Sequence, residues 1–124
     1  MVERDLVAHE AQGLPTDWRF AIAYSAALKL ATVVVRAEGY RTVGGGHHFV
    51  TFAAFGAIMG TAEQGRVQYL QSCRVKRNRA AYDRAGEVTE ADVEDLVSEA
   101  HALKELVIAW LRQHHPALLP GVWT

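Results

Sequence analysis

Length, composition and charge describe one folded domain that is close to neutral. The chain has 124 residues, half of them hydrophobic, which excludes a disordered chain and predicts a single domain over residues 1–124. The formal net charge of −1 excludes a protein that binds polyanions over its whole surface, and it excludes an acidic tail.

Five segments with helical periodicity account for nearly the whole chain, so we predict an all-α, up-and-down bundle of four or five helices. We expect helices over residues 3–12, 17–38, 47–59, 62–84 and 90–114. The second is apolar almost all round, which is typical of the central helix of a bundle. The fifth has the most regular apolar stripe, which runs from Val93 to Leu111.

The polar side chains of the second predicted helix fall on one narrow line. They are Ser25, Lys29, Thr32 and Arg36, with Trp18 extending the line. This line is either a strip that faces solvent or one wall of a polar cleft. In the second case Trp18, Lys29 and Arg36 would line a pocket for a small molecule.

Capping residues mark the expected helix boundaries. Thr16 is a natural N-cap for the second helix, and Thr89 is one for the fifth. Thr61 and Gln64 match the capping-box pattern in front of the fourth helix. We expect the helices to stop at Gly39, Gly60 and Pro116.

Charge is distributed unevenly over the last two predicted helices. Residues 66–84 carry six basic side chains and one acidic one, whereas residues 87–105 carry seven acidic side chains and one basic one. Either the two helices pack side by side and neutralise each other, or the basic helix faces a phosphate-bearing partner while the acidic helix faces water.

One arginine of the basic helix lies on its apolar side. A helical projection places Leu70, Cys73, Arg77, Ala80 and Ala81 on one face. A guanidinium group there is costly unless it is paired or faces a cleft or a second copy of the chain. Arg77 is therefore either part of a site or a structural residue paired with an acid of the next helix.

The single cysteine and the hydropathy pattern predict a cytoplasmic protein. Cys73 alone can form no intrachain disulfide, and on the apolar face it is expected to be a small buried side chain. The charged N-terminus predicts no signal peptide. The longest apolar run, residues 20–35, is interrupted by Lys29 and is shorter than the roughly 20 residues that span a bilayer, so we expect no membrane association.

The six histidines do not have the spacing of a metal site. His47 and His48 are adjacent, as are His114 and His115, and adjacent residues point to different faces of a helix. No His-x-x-x-His or Glu-x-x-His pair is present in the sequence. We therefore expect no metal and no cofactor.

The chemistry-bearing cluster is the run from Lys76 to Tyr82. Arginine binds phosphate oxygens with bidentate hydrogen bonds, an amide such as Asn78 can orient the phosphate, and a phenol can transfer a proton. Arg77 lies about 140° around the helix from Tyr82, so two copies of the helix across a two-fold axis would bring them together better than one. Arg74, Lys76 and Arg79 would add attraction to an RNA backbone that does not depend on its sequence.

The order of these features resembles that of HEPN domains (higher eukaryotes and prokaryotes nucleotide-binding). The resemblance covers about residues 5–115. It is carried by the segment Ala23-Tyr24-Ser25-Ala26-Ala27-Leu28-Lys29-Leu30-Ala31, the helix end Ala37-Glu38-Gly39-Tyr40, the Gly46-His47-His48 loop, the Arg77-Asn78-x-x-x-Tyr82 motif and the Thr89-x-x-Asp92 start of the last helix.

The resemblance implies an α-helical homodimer in which two Arg-polar-x-x-x-His motifs meet in a basic cleft. Many HEPN proteins are metal-independent endoribonucleases that act as toxins, often encoded beside a nucleotidyltransferase antitoxin, or that act in phage defence. Arg77 matches the motif arginine and Asn78 matches the polar residue. Tyr82 stands where the family has histidine.

That substitution leaves three interpretations open, because tyrosine is a poor general base at neutral pH. The protein is an atypical ribonuclease in which Arg77 supplies most of the transition-state stabilisation. Alternatively, it binds RNA or a nucleotide without cleaving it, as a subunit paired with a nucleotidyltransferase. Or it keeps only the fold and the dimer interface. His47 or His48 would be an alternative source of a proton-transferring group.

Overall fold

A computed structural model describes residues 14–41, 47–82 and 88–119, apart from the side chains of residues 81 and 82. Within these ranges the chain forms helices and no strand, which confirms the all-α prediction. The helices are α1 (Thr16–Ala37), α2 (His47–Met59), α3 (Gln64–Tyr82) and α4 (Glu90–His114), with short 3-10 turns at Thr61–Glu63 and Pro116–Leu118. The helix expected over residues 3–12 lies outside the described residues.

Helix α1 is the central element, because it packs against each of the other three helices. Four of its nine buried residues are alanines, and these small side chains let neighbouring helices approach closely. Larger side chains of α1 itself and of the helices around it form the core; the largest fully buried ones are Tyr24, Phe20, Phe52, Phe55, Leu30, Leu70, Leu96, Leu103, Leu111, Val34 and Val35.

Helix α1 also meets the length and composition of a membrane-spanning helix, and it is the only described helix of 18 or more residues that does so. It has 22 residues, which is longer than the apolar run seen in the sequence. Half of its most apolar stretch is buried inside the bundle. That burial is what a central core helix requires, since the other helices cover its apolar surface.

Helix α4 buries the apolar stripe that the sequence predicted. Six of its side chains are fully buried: Val93, Leu96, Ala100, Leu103, Val107 and Leu111. Its most extensive packing is against α1. The helix begins with a complete capping box, in which the Thr89 side chain accepts from the Asp92 amide (3.1 Å) and the Asp92 carboxylate accepts from the Thr89 amide (3.0 Å).

Two other predicted caps are wrong. Helix α1 begins one residue earlier than expected, with Pro15 at the N-cap position, so Thr16 is its first residue rather than its cap. Gly60 precedes Thr61 with a φ of +96°, and Thr61–Glu63 forms a 3-10 turn without a side-chain cap bond. The capping box expected from Thr61 and Gln64 therefore does not form.

The predicted helix ends are confirmed. Gly39 follows α1 with a φ of +87°, a left-handed conformation that glycine adopts without a steric penalty, and Gly60 plays the same part after α2. Helix α4 ends at His114, just before Pro116.

Candidate functional site

Arg77 stands on the inner side of α3, against α1. Its side chain is half-buried, and the guanidinium carbon lies 5.6 Å from the centroid of the Tyr24 ring. Its Nη1 atom is 3.4 Å from Oδ1 of Asn78, which is a long and weak hydrogen bond. The described residues place no carboxylate within ion-pair distance of Arg77. The arginine is therefore held by an aromatic ring and an amide, not by an acid of α4.

The acids of α4 pair with other basic residues of α3. Nε of Arg66 lies 2.6 Å from the Glu99 carboxylate, and Nζ of Lys76 lies 3.0 Å from that of Asp92. The hydrogen bond from the Thr89 amide, and the neighbouring Lys76, hold the pKa of Asp92 below its ordinary value. The two oppositely charged helices thus neutralise each other through the Arg66–Glu99 and Lys76–Asp92 pairs. Arg74 and Arg77 instead contact the aromatic rings of Phe49 on α2 and Tyr24 on α1.

Arg74 joins α3 to the first turn of α2. Its Nε atom donates to Oε1 of Gln71 at 3.0 Å, and its guanidinium carbon lies 5.4 Å from the centroid of the Phe49 ring. The Gln71 amide in turn donates to the Phe49 carbonyl at 3.0 Å. The second arginine of the site is therefore also stacked on an aromatic ring, and the same edge of α3 fixes the start of α2.

A histidine completes the surroundings of Arg77. Nδ1 of His48 lies 3.2 Å from the Tyr24 hydroxyl oxygen, on the ring over which Arg77 is stacked. Tyr24 is only 1% exposed, and its hydroxyl has no other polar partner among the described residues. The Tyr24 O–H therefore donates to Nδ1, because the reverse arrangement would leave the hydroxyl hydrogen without an acceptor. The proton of the neutral imidazole is then on Nε2.

The electrostatics of the site favour these uncharged forms. Burial lowers the pKa of His48 below its ordinary value of 6.5, and His47, Arg77 and Arg74 lower it further because each disfavours a second positive charge. Burial raises the pKa of Tyr24 to about 12, although Arg77 and Arg74 act in the opposite direction. At neutral pH the site thus presents two positive charges, a neutral imidazole and a protonated phenol.

The structure brings together only part of the predicted set. Arg77, Asn78 and Arg74 share one region, whereas Lys76 is paired with Asp92 and Arg79 is exposed. The side chain of Tyr82, at the last residue of α3, lies outside the described residues.

Sequence reasoning did not assign Tyr24 and Phe49 to the site. It named His48 only as an alternative proton-transferring group. The signal for these residues was weak. Tyr24 looks like an ordinary core residue in an apolar helix, and Phe49 looks like part of an apolar run.

One apolar depression lies on α1. Trp18 is 64% exposed and lines this depression with Ala21 and Ile22, and neither Lys29 nor Arg36 contributes to it. The pocket predicted from Trp18, Lys29 and Arg36 stays a prediction.

Neither Cys73 nor a metal-binding group belongs to the described site. Cys73 is buried, as predicted, and burial raises the pKa of its thiol to about 11, so it stays protonated. Among the described residues, no three His, Cys, Asp or Glu side chains come together in a group that could hold a metal ion.

Comparisons of this chain with protein-family models, curated proteins and solved structures give no match.

Proposed function

We propose that this chain is an RNA-targeting protein of the HEPN type, which binds an RNA phosphodiester at Arg77. The observation that supports the proposal is the state of that guanidinium. It is half-buried on the inner side of α3, stacked on Tyr24, and free of any carboxylate among the described residues. A guanidinium that has lost part of its water and has no counter-ion gains more from an anionic ligand than a fully solvated one does.

Arg74 strengthens the attraction for a phosphate group. It lies one helical turn before Arg77, and residues three apart on a helix are neighbours on its surface. Its charge is likewise not compensated by a described carboxylate; its partners are Gln71 and the Phe49 ring. Two neighbouring arginines stacked on aromatic rings can bind adjacent oxygens of one phosphodiester.

The complete site is proposed to form in a homodimer in the cytoplasm. The positions of Arg77 and Tyr82 are about 140° apart around one helix, so the Asn78 and Tyr82 of a second copy would complete the site across a two-fold axis. The protein is proposed to act in a toxin–antitoxin or phage-defence module, with a nucleotidyltransferase as its partner.

In its catalytic form the protein is a metal-independent endoribonuclease. In such a reaction the 2′-hydroxyl of the RNA gives its proton to water as its oxygen attacks the adjacent phosphorus. The bond from phosphorus to the 5′-oxygen of the next nucleotide breaks, and that oxygen takes a proton from water, which leaves a 2′,3′-cyclic phosphate and a 5′-hydroxyl. Arg77 and Arg74 would stabilise the negative charge that builds up on the phosphate oxygens. The family motif has a histidine at the position of Tyr82, and in this chain His48 would supply an imidazole instead.

A second candidate is a non-catalytic RNA-binding or nucleotide-binding subunit that is paired with a nucleotidyltransferase. The state of the titratable groups favours it. Nδ1 of His48 is occupied by Tyr24, and the Tyr24 phenol has a pKa of about 12, which makes it a poor proton donor or acceptor at neutral pH. Such a protein would keep the phosphate-binding function of Arg77 without cleaving the strand.

A cleavage assay on transfer RNA in EDTA separates the two candidates. Wild type is compared with Arg77→Ala and with Arg112→Ala, which removes an exposed arginine in the last turn of α4. Cleavage that is lost only in Arg77→Ala supports the ribonuclease. Binding without cleavage by wild type supports the non-catalytic subunit. Equal cleavage by all three proteins would overturn the role of Arg77.

A further inference from the structure

Phe49 is an aromatic side chain exposed next to the candidate site. It is 52% exposed in the first turn of α2, although leaving a phenylalanine in water forgoes about 1.5–3 kcal/mol relative to burying it. Scattered exposed apolar residues are normal, so exposure alone carries no conclusion. Its neighbours are what distinguish Phe49.

The position of Phe49 is fixed from two sides. The Gln71 amide donates to its carbonyl at 3.0 Å, and the Arg74 guanidinium carbon lies 5.4 Å from its ring centroid. These contacts hold the ring on α3, and the exposed half of the side chain remains accessible. The preceding residue, His48, bonds to Tyr24, on which Arg77 is stacked. Phe49 with Arg74 and Tyr24 with Arg77 are therefore two cation–π pairs, connected through His48, the residue before Phe49.

An exposed aromatic ring beside arginine side chains is the combination with which proteins bind single-stranded nucleic acid. Cationic side chains bind the backbone phosphates, and neighbouring aromatic rings stack on bases that are not paired. A base in a duplex cannot use such a platform, since both of its faces are already stacked. The second class of partner for an exposed Phe49 is a protein surface, because Val50 beside it is also 52% exposed. The cation held over the ring favours the nucleic acid.

We infer that Phe49 is a base-stacking platform, and that the preferred ligand of the site is therefore single-stranded RNA, with one unpaired base on Phe49 and a neighbouring phosphate at Arg74 and Arg77. This inference rests on the proposed function and specifies its substrate class.

The test is fluorescence anisotropy with a short 2′-O-methyl RNA, which cannot be cleaved at the 2′-oxygen, both as a single strand and annealed to its complement. Wild type should bind the single strand more tightly than the duplex. Phe49→Leu should weaken single-strand binding by about 5- to 150-fold, the loss that follows removal of one stacked base. Phe49→Trp should restore it. Val50→Ala, at an equally exposed neighbour, should bind like wild type.

Three outcomes would overturn the inference. If Phe49→Leu binds the single strand as wild type does while Arg77→Ala is weakened, Phe49 is no platform and only the proposed function stands. If Phe49→Leu and Val50→Ala both alter the oligomeric state and neither alters RNA affinity, the surface is a protein contact. If wild type binds neither RNA, the proposed function falls and the inference falls with it.

Discussion

At the scale of single residues, the contacts of Arg77 show whether its role is structural or functional. Its described contacts are a cation–π stack on Tyr24 and a long hydrogen bond to Asn78. Such a stack contributes about 0.5–1 kcal/mol at a partly exposed position, much less than a buried ion pair whose loss leaves a charge unpaired.

Arg77→Ala should therefore lower the free energy of unfolding by only about 1 kcal/mol, measured by urea denaturation. Arg112→Ala serves as the control for loss of one positive charge. A loss of about 3 kcal/mol or more in Arg77→Ala would instead identify Arg77 as a structural residue with a buried partner.

His48 gives the folded protein a sensitivity to acid. Its pKa in the folded state lies below the ordinary value of 6.5, so between those two values the unfolded chain binds more protons than the folded one. Stability is therefore complete above 6.5 and falls as the pH drops through that window. His48→Asn keeps an acceptor for Tyr24 but cannot titrate.

Urea denaturation well above and well below pH 6.5 measures this effect. Wild type should lose more stability on acidification than His48→Asn does, because only wild type has the His48 imidazole to protonate. An identical loss in the two proteins would show that His48 is as easily protonated in the folded state as in the unfolded one.

At the scale of helices, periodicity was sufficient to predict most of the fold. The positions of α1 to α4 agree with the predicted segments to within two residues at each end. Local capping patterns were less reliable, since Thr61 matched a capping box that does not form. The left-handed Gly60 turns the chain directly into a 3-10 turn, so the threonine side chain is not at an N-cap position.

The two threonines make a matched pair of substitutions. Thr89→Ala should destabilise the protein by about 0.5–2 kcal/mol, because its hydroxyl caps the Asp92 amide. Thr61→Ala, at an exposed position without a cap bond, should change stability by less than about 0.5 kcal/mol. Thermal denaturation followed by circular dichroism would show the difference, and equal effects of the two substitutions would contradict the observed caps.

Two glycines test how α2 and α3 pack. A Cβ atom at Gly56 would lie 2.9 Å from Cγ2 of Val67, so Gly56→Ala should force the helices apart and cost about 1–3 kcal/mol. A Cβ atom at Gly65 would meet nothing within 4 Å, so Gly65→Ala should stabilise α3 by about 0.4–1 kcal/mol. Chemical denaturation measures both, and a stabilised Gly56→Ala would disprove the close contact.

At the scale of the whole molecule, the site is made by packing that the sequence does not display. The projection identified Arg77 as a residue on the apolar face of its helix, and the run from Lys76 to Tyr82 grouped Asn78 with it. It could not show that Tyr24 lies beneath Arg77, because the register of α1 against α3 depends on how buried side chains fit together. The contacts of His48 with Tyr24 and of Phe49 with Arg74 could not be predicted either, since they depend on the orientation of the first turn of α2.

The pairing of the charged residues, like the contacts of the site, could be predicted from the sequence only in part. The sequence offered neutralisation between helices or attraction to phosphate as alternatives. The structure uses Arg66 and Lys76 for neutralisation, and it leaves Arg74 and Arg77 without a described acidic partner. A count of charges along the chain cannot separate the two groups, because they lie on the same helix and differ only in the direction of their side chains.

The most direct test of RNA binding at Arg77 is the affinity for single-stranded RNA over a series of salt concentrations, measured in EDTA for wild type, Arg77→Ala and Arg112→Ala. We expect Arg77→Ala to weaken binding by about 10- to 150-fold, the loss expected for a charged hydrogen bond, and to lower the salt slope by about one phosphate contact. Arg112→Ala should match wild type. Equal affinities and slopes in all three proteins would contradict the assignment of the phosphate site to Arg77.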